Sequence, residues 1–153
     1  MEVNEIRKTL QLIFDPKSQH SAFHRPLDPM DRITLAMEVY KDEFSQLNWI
    51  GVYLISHERK EMILGPFIGE PLERVRFPLT TISESQGYWQ NDVGFGWNGF
   101  QVGKWLGRLV CQGSITEDLK SQKHLVSLLG SFMDPWWGDC DRSLPFDGLP
   151  RPS

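Results

Sequence analysis

Cysteine is scarce in this chain. Its 153 residues include two cysteines, Cys111 and Cys140, which form no CxxC pair and are too few for a disulfide framework, so we expect two free thiols. No apolar run reaches the roughly 18 residues that span a bilayer, so we expect no membrane-spanning helix. The first residues lack a basic segment followed by an apolar one, so we expect no secretory signal and a cytoplasmic location.

Excess positive charge is also missing. The chain has 16 lysines and arginines against 20 acidic residues, a formal net charge of −4, so we expect no nucleic-acid partner. The length suits one domain, which we predict over residues 1–146, with a disordered tail over 147–153. From Asp134 onward, prolines and glycines predict an irregular segment whose start is docked by Trp136 and Trp137.

Apolar residues at helical spacing are present in three segments. Residues 3–14 repeat apolar side chains every three or four positions, which predicts a first helix. Asp28 can cap the next helix and Pro29 suits its first position, so a second is predicted over residues 31–47. The same spacing predicts a third helix over residues 117–133.

The first predicted strands follow the second helix. Residues 49–55 are apolar on both strand faces, which is typical of a central strand covered on both sides. A polar turn separates them from residues 62–67, so we predict that the two strands are antiparallel neighbours. Residues 75–77 are a third candidate strand.

A glycine-rich and aromatic segment follows. Its Asn98-Gly99 pair is the strongest short hairpin signal in the chain, and it predicts that residues 93–97 pair with residues 100–104. Residues 109–111 predict a further strand. The whole pattern is that of an α+β domain, with helices packed on a central antiparallel sheet.

Two strings within these strands carry a family resemblance. They are NWIGVYLI at residues 48–55 and MILGPFIGEP at residues 62–71. Together they resemble the first two strands of a GAF domain. Within that superfamily, residues 30–77 are most similar to the free methionine-R-sulfoxide reductases, which carry an NWVGFYL-like strand and an LGPFQGKP-like strand. The resemblance implies a GAF-like fold.

The cysteines depart from the pattern of those reductases. The resemblance implies a cysteine shortly after the proline of the second string and two more further on, but Glu73 stands where the first would fall. No cysteine precedes Cys111. Sulfoxide reduction needs a thiolate to attack sulfur and usually a second thiol to resolve the intermediate. The resemblance therefore supports the fold and argues against the activity.

The aromatic segment is the principal candidate site. Aromatic rings interleaved with glycines can be core, line a ligand pocket, or form an anchor patch for another protein. The chain has six tryptophans, more than a core of this size needs. We therefore predict a ligand- or partner-binding role for the six aromatic residues of the segment, which are Tyr88, Trp89, Phe95, Trp97, Phe100 and Trp105.

Other candidates have plainer interpretations. His20 and His24 are four residues apart but lie in a predicted loop, so we expect neither a metal site nor a cofactor. Arg74 and Arg76 share a strand face, for which a solvated surface is favoured over an anion site. Cys111 is interpreted as a buried structural thiol, because no base beside it can be identified.

The predicted function is binding rather than catalysis. We expect a non-catalytic GAF-like domain that serves as a protein-interaction adaptor or a small-molecule sensor; the sequence leaves open both a homodimer and the choice between partner and ligand. The alternative is an enzyme, a divergent thiol-dependent free methionine sulfoxide reductase that uses Cys111.

Overall fold

Three α-helices, a six-stranded antiparallel sheet and a two-stranded antiparallel sheet form the regular structure of the described residues. The computed structural model describes residues 3–17, 19–20, 25–26, 28–44, 46–79, 85–92, 94–113 and 119–140. Its elements are α1 (Val3–Ile13), β1 (Gln19–His20), β2 (Arg25–Pro26), α2 (Pro29–Glu43), β3 (Leu47–Ser56), β4 (Glu61–Ile68), β5 (Arg76–Pro78), β6 (Gly87–Gln90), β7 (Phe95–Gln101), β8 (Lys104–Gly113), α3 (Leu119–Met133) and a 3₁₀ helix (Asp134–Asp139).

Strand β3 lies inside the main sheet, as its sequence predicts. Six strands are ordered β5-β4-β3-β8-β7-β6, and every neighbouring pair is antiparallel. Because side chains alternate along a strand, β3 supplies two different cores. Ile50, Val52 and Leu54 face the helices, while Trp49 and Tyr53 belong to a second cluster.

The helices cover one face of the sheet with a continuous core. Side chains of α1, α2 and α3 pack there against the inner residues of β3, β7 and β8. The predicted start of α2 is confirmed, because the Asp31 backbone N–H donates to Asp28 Oδ1 at 2.8 Å and Pro29 occupies the first turn. The described part of α3 starts at Leu119 and agrees with the predicted helix.

The predicted end of α2 at residue 47 is wrong. The helix ends at Glu43, and the Phe44 N–H closes the last turn on Tyr40 O. Leu47 instead pairs with Gly113 at the start of β3 and is 2% exposed. Its apolar side chain fits the helical spacing, but the sheet buries it, so periodicity alone placed the boundary four residues late.

The predicted hairpin at Asn98-Gly99 is also wrong. Strand β7 continues through both residues, with a register shift after Gly99, and the turn to β8 falls at Val102-Gly103. Val102 and Gly103 have φ values of 50° and 74°, the left-handed pair of a tight two-residue hairpin. Asn98 and Gly99 are buried in the sheet, where packing requirements override the local turn preference.

Trp137 occupies a slot made by two glycines on neighbouring strands. Gly99 of β7 and Gly107 of β8 are paired in register, and a Cβ on either one would overlap the Trp137 indole. The ring is fully buried, and its Nε1 donates to Asp134 Oδ1 at 3.1 Å. The predicted docking of this segment is confirmed, with Trp136 half-buried beside Trp137.

The end of the chain lies outside the described residues. The predicted disordered tail over 147–153 therefore stays a prediction, as does the extent of the single domain. Among the helices that the structure describes, none is long and apolar enough to cross a membrane.

The glycine slot gives a stability prediction. Gly99→Ala and Gly107→Ala should each lower the free energy of unfolding by roughly 1–3 kcal/mol or more, because the added methyl displaces Trp137 from a tightly packed position. Urea unfolding followed by circular dichroism measures the effect. Gly103→Asn is the matched control: no atom lies within 4 Å of a Cβ there, and asparagine tolerates a left-handed backbone. An equal loss of unfolding free energy in all three variants would contradict the specific packing of Trp137 against Gly99 and Gly107.

Candidate functional site

The face of the sheet opposite the helices is rich in aromatic residues. We call it the aromatic face. Leu72, Val75, Phe77 and Leu79, from β5 and its flanking segments, pack over part of it. Its buried members are Trp49, Tyr53, Ile55, Met62, Leu64, Phe67, Trp89, Trp105 and Val110.

The six predicted binding residues do not form one cluster. Phe95 is buried in the helix-side core, and Tyr88 and Trp97 pack against that core. Trp89 and Trp105 are buried in the aromatic face, where Phe100 packs beside them. The division follows from strand alternation, which sends neighbouring side chains to opposite faces. Their binding role stays a prediction, which now applies most directly to the three residues of the aromatic face.

None of the aromatic residues that the structure describes is exposed. Trp89 and Trp105 are 9% and 2% exposed, and the exposed large hydrophobic residues in the described ranges are Leu12 and Val102. An aromatic anchor for a partner protein would need to reach the surface. The described rings therefore do not form an exposed aromatic anchor.

A buried arginine, Arg108, lies in the aromatic face. Arg108 of β8 is 9% exposed and sits in register between Tyr53 of β3 and Asn98 of β7. Its Nη1 donates to Asn98 Oδ1 at 2.9 Å, and its Cζ lies 3.8 Å from the centroid of the Trp89 ring. We call Tyr53, Trp89, Asn98 and Arg108 the Arg108 cluster.

The groups around Arg108 are themselves held in place. Asn98 Nδ2 donates to Ser85 O at 2.8 Å, which turns the amide oxygen toward Arg108. Trp89 Nε1 donates to Leu109 O at 3.0 Å, which fixes the ring under the guanidinium. Gly96 lies opposite Trp89 in the sheet, and a Cβ there would collide with Leu109 O. Hydrogen bonds to backbone carbonyls therefore hold the Trp89 ring and the Asn98 amide in position beside Arg108.

Burial shifts both titratable groups of the Arg108 cluster toward their neutral forms. It lowers the pKa of Arg108 to about 10, an effect that the nearby Tyr53 partly opposes. It raises the pKa of Tyr53 to about 12, which the Arg108 charge partly opposes. At neutral pH the face therefore presents a guanidinium cation beside a neutral phenol.

The charge of Arg108 has no acidic counterpart in the described ranges. No aspartate or glutamate there forms an ion pair with it, and its polar partner is the neutral Asn98 amide. Buried charges are usually paired, because removing a cation from water is costly. Sequence reasoning missed this group, although a lone arginine within the apolar string LGRLVC was a visible signal.

Both cysteines lie in the helix-side core, away from the Arg108 cluster. Cys111 is fully buried, and burial raises the pKa of its thiol far above the ordinary value. Cys140 is 6% exposed, and its Sγ lies 3.5 Å from Trp136 O. Glu73, where the resemblance implies a reductase cysteine, is exposed.

The minor candidates gain no catalytic environment from the fold. His20 lies in the two-residue strand β1, and His24 lies outside the described residues. No group of three metal-ligating side chains occurs in the described ranges. Arg76 Nη1 bonds to Glu61 Oε1 at 2.6 Å, and Arg74 is exposed.

Two open clefts lie at the β3–β4 turn end of the sheet. One of about 490 Å³ is lined by residues that include His57, Arg59 and Lys104, and one of about 330 Å³ by residues that include Arg74 and Arg76. Both are shallow and lined largely by exposed side chains, and neither includes a member of the Arg108 cluster. We regard the cluster as the better candidate, because Trp89, Asn98 and Arg108 are held by hydrogen bonds and no acid in the described ranges compensates the Arg108 charge.

Strand order, helix positions and comparison with solved structures define a GAF-like fold, which confirms the predicted α+β class. The free methionine-R-sulfoxide reductase of Staphylococcus aureus, in complex with substrate, matches with a TM-score of 0.64 and 19% identity over 88% of this chain and 94% of that one. A putative GAF sensor protein from Burkholderia vietnamiensis matches with a TM-score of 0.64 and 15% identity over 89% and 90%.

A second reductase shows the same likeness. The free methionine-R-sulfoxide reductase from Neisseria meningitidis, in complex with its substrate, has a TM-score of 0.60 and 17% identity over 88% of this chain and 89% of that one. No protein-family model and no curated protein sequence matches this chain. At these identities the likeness establishes the fold and leaves the activity open.

The buried thiols give a chemical prediction. In the folded protein, Cys111 and Cys140 should react with a disulfide reagent such as DTNB roughly 100-fold more slowly than in the denatured protein, because reaction needs an accessible thiolate. The rate is measured from the absorbance of the coloured thiolate that DTNB releases when it reacts with a cysteine. A fast native phase that disappears in Cys111→Ser would show that this thiol is reactive.

Proposed function

We propose that this protein is a non-catalytic GAF-like binding domain that holds a small molecule at the aromatic face and acts as a sensor. The observation that carries the proposal is the Arg108 cluster. It places a buried cation, which has no acid partner among the described residues, and a neutral phenol among aromatic rings. Hydrogen bonds to backbone carbonyls hold Trp89 and Asn98 in position. A few fixed polar groups in an aromatic setting are typical of small-molecule sites.

A small molecule is better supported than a partner protein. Hot spots at protein interfaces are large side chains that the free protein offers to its partner. In the described residues the aromatic rings are buried or half-buried, while Leu12 and Val102 lie isolated at the surface. The rings thus favour a ligand that enters the face over a protein that covers it.

Catalysis by thiol chemistry is the alternative of a different class. A reductase would need one thiolate to attack the sulfoxide sulfur, giving a sulfenic acid and free methionine, and a second thiol to form a disulfide with loss of water. The likeness to two reductases favours this alternative. The burial of Cys111 and its raised pKa argue against it, because the thiolate is strongly disfavoured there.

A turnover assay separates the two functions. With free methionine-R-sulfoxide and a thiol reductant, we expect no loss of sulfoxide above the rate without protein, because no accessible thiolate is available. The amino acid is quantified by chromatography, and Cys111→Ser is tested in parallel. Turnover that depends on Cys111 would overturn the proposal and establish the alternative.

A retention experiment tests binding directly. The purified protein is equilibrated with the small-molecule fraction of a cell extract, washed and denatured, and the released compounds are identified by mass spectrometry. We expect a compound to be retained by the native protein and lost in Trp89→Phe, since Trp89 lies in the Arg108 cluster. Trp97→Phe is the matched control, because Trp97 packs on the helix side. Retention of nothing by the native protein would contradict the proposal.

A further inference from the structure

The Arg108 cluster has hydrogen-bond donors that the described protein does not use. Nη1 of Arg108 is occupied by Asn98, but its Nε and Nη2 make no hydrogen bond to a described residue and are not sealed from solvent. The hydroxyl of Tyr53 likewise makes no hydrogen bond to a described residue and is not sealed from solvent. Tyr53 and Arg108 pair directly across β3 and β8, so both side chains start from neighbouring positions on the same face of the sheet.

Acceptors are scarce at the same place. The amide oxygen of Asn98 already accepts from Arg108, and apart from Tyr53 the described members of the aromatic face are apolar or donate to backbone carbonyls. Trp105 Nε1, for example, donates to Gly107 O at 2.9 Å. A site with spare donors and positive charge complements a group that only accepts and is negative.

The second buried arginine of the described residues, Arg32, has the partners expected of a structural role. Arg32 is 1% exposed, and its Nη1 lies 2.6 Å from both Ile13 O and Asp15 O. Three aspartates close to it, Asp15, Asp28 and Asp31, supply compensating charge. Among the described residues, Arg108 has neither backbone carbonyl partners nor a neighbouring acid, so its charge could pair with the charge of a bound anion.

We infer that the ligand of the aromatic face, if the proposed binding function holds, is an oxyanion whose carboxylate or phosphate oxygens accept from Arg108 and Tyr53. A guanidinium edge offers two parallel N–H groups, which match the two oxygens of such a group. The apolar part of the ligand then lies among the surrounding rings. The Trp89 ring holds the guanidinium in place from one side.

Simple probes test the class of ligand. Sodium benzoate and phenyl phosphate are titrated separately into the full-length protein, with the indole N–H signals of the tryptophans followed by NMR. We expect saturable shifts of the Trp89 signal, and at least about a tenfold loss of affinity in Arg108→Met, because charge-assisted hydrogen bonds are lost. The tighter of the two probes distinguishes a carboxylate source from a phosphate source.

Matched controls isolate the charge. Benzamide has the ring of benzoate without the anion and should bind at least about tenfold more weakly. Arg7→Met removes an exposed arginine of α1, a helix on the other side of the sheet, and should leave the affinities for benzoate and phenyl phosphate unchanged. Arg108→Lys keeps a cation but loses the paired donors, so its affinity for the two anionic probes should lie between that of the native protein and that of Arg108→Met. It also replaces that variant if Arg108→Met fails to fold.

The outcomes separate this inference from the proposed function. Equal affinity for benzoate and benzamide, or unchanged benzoate affinity in both Arg108 variants, would overturn the inference that the ligand is an oxyanion. Retention of a neutral compound that is lost in Trp89→Phe and kept in Arg108→Lys would overturn it too, while leaving the binding function intact. Retention of nothing from the extract would remove the binding function itself.

Discussion

A central strand that is apolar on both sides needs cover on both faces of its sheet, and the rest of this structure follows from that requirement. On one side, three helices bury Ile50, Val52 and Leu54 of β3. On the other, Trp49 and Tyr53 lie in a second core that is built from strand side chains and the segment around β5. Large rings suit this thinner layer, because each buries much area without a helix above it.

The aromatic face tolerates one charged group, and the reason lies in how that group is supported. Arg108 stacks on Trp89 and donates a hydrogen bond to Asn98. These two contacts offset part of the free-energy cost of removing its charge from water. It has no described acid beside it, in contrast to Arg32, which is surrounded by aspartates. The same fold thus holds one buried arginine bonded to the carbonyls of Ile13 and Asp15, and another whose polar partner among the described residues is the Asn98 amide.

This chain shares its fold with the reductases, but its cysteines do not follow the pattern of those enzymes. Chains of 14–19% identity share the architecture over most of their length, yet the thiols of this chain lie in the helix-side core. Cys111 faces the helices because β8 alternates, with Arg108 and Val110 on the opposite face. A scaffold of this kind supports different functions through the side chains that each chain places on it.

The sequence by itself determined the elements whose signals are local. The cap at Asp28, the two-faced apolar pattern of β3 and its pairing with β4 all follow from nearest neighbours and alternation. The tertiary structure alone decided three other features. Gly99 is a strand residue because Trp137, 38 positions further along, fills the space above it. The six aromatic residues divide between two cores because register assigns each to a face. Arg108 meets Tyr53, Asn98 and Trp89 because three separate strands bring them together. Contacts between distant positions leave no periodic signal in the chain, so only the folded sheet reveals them.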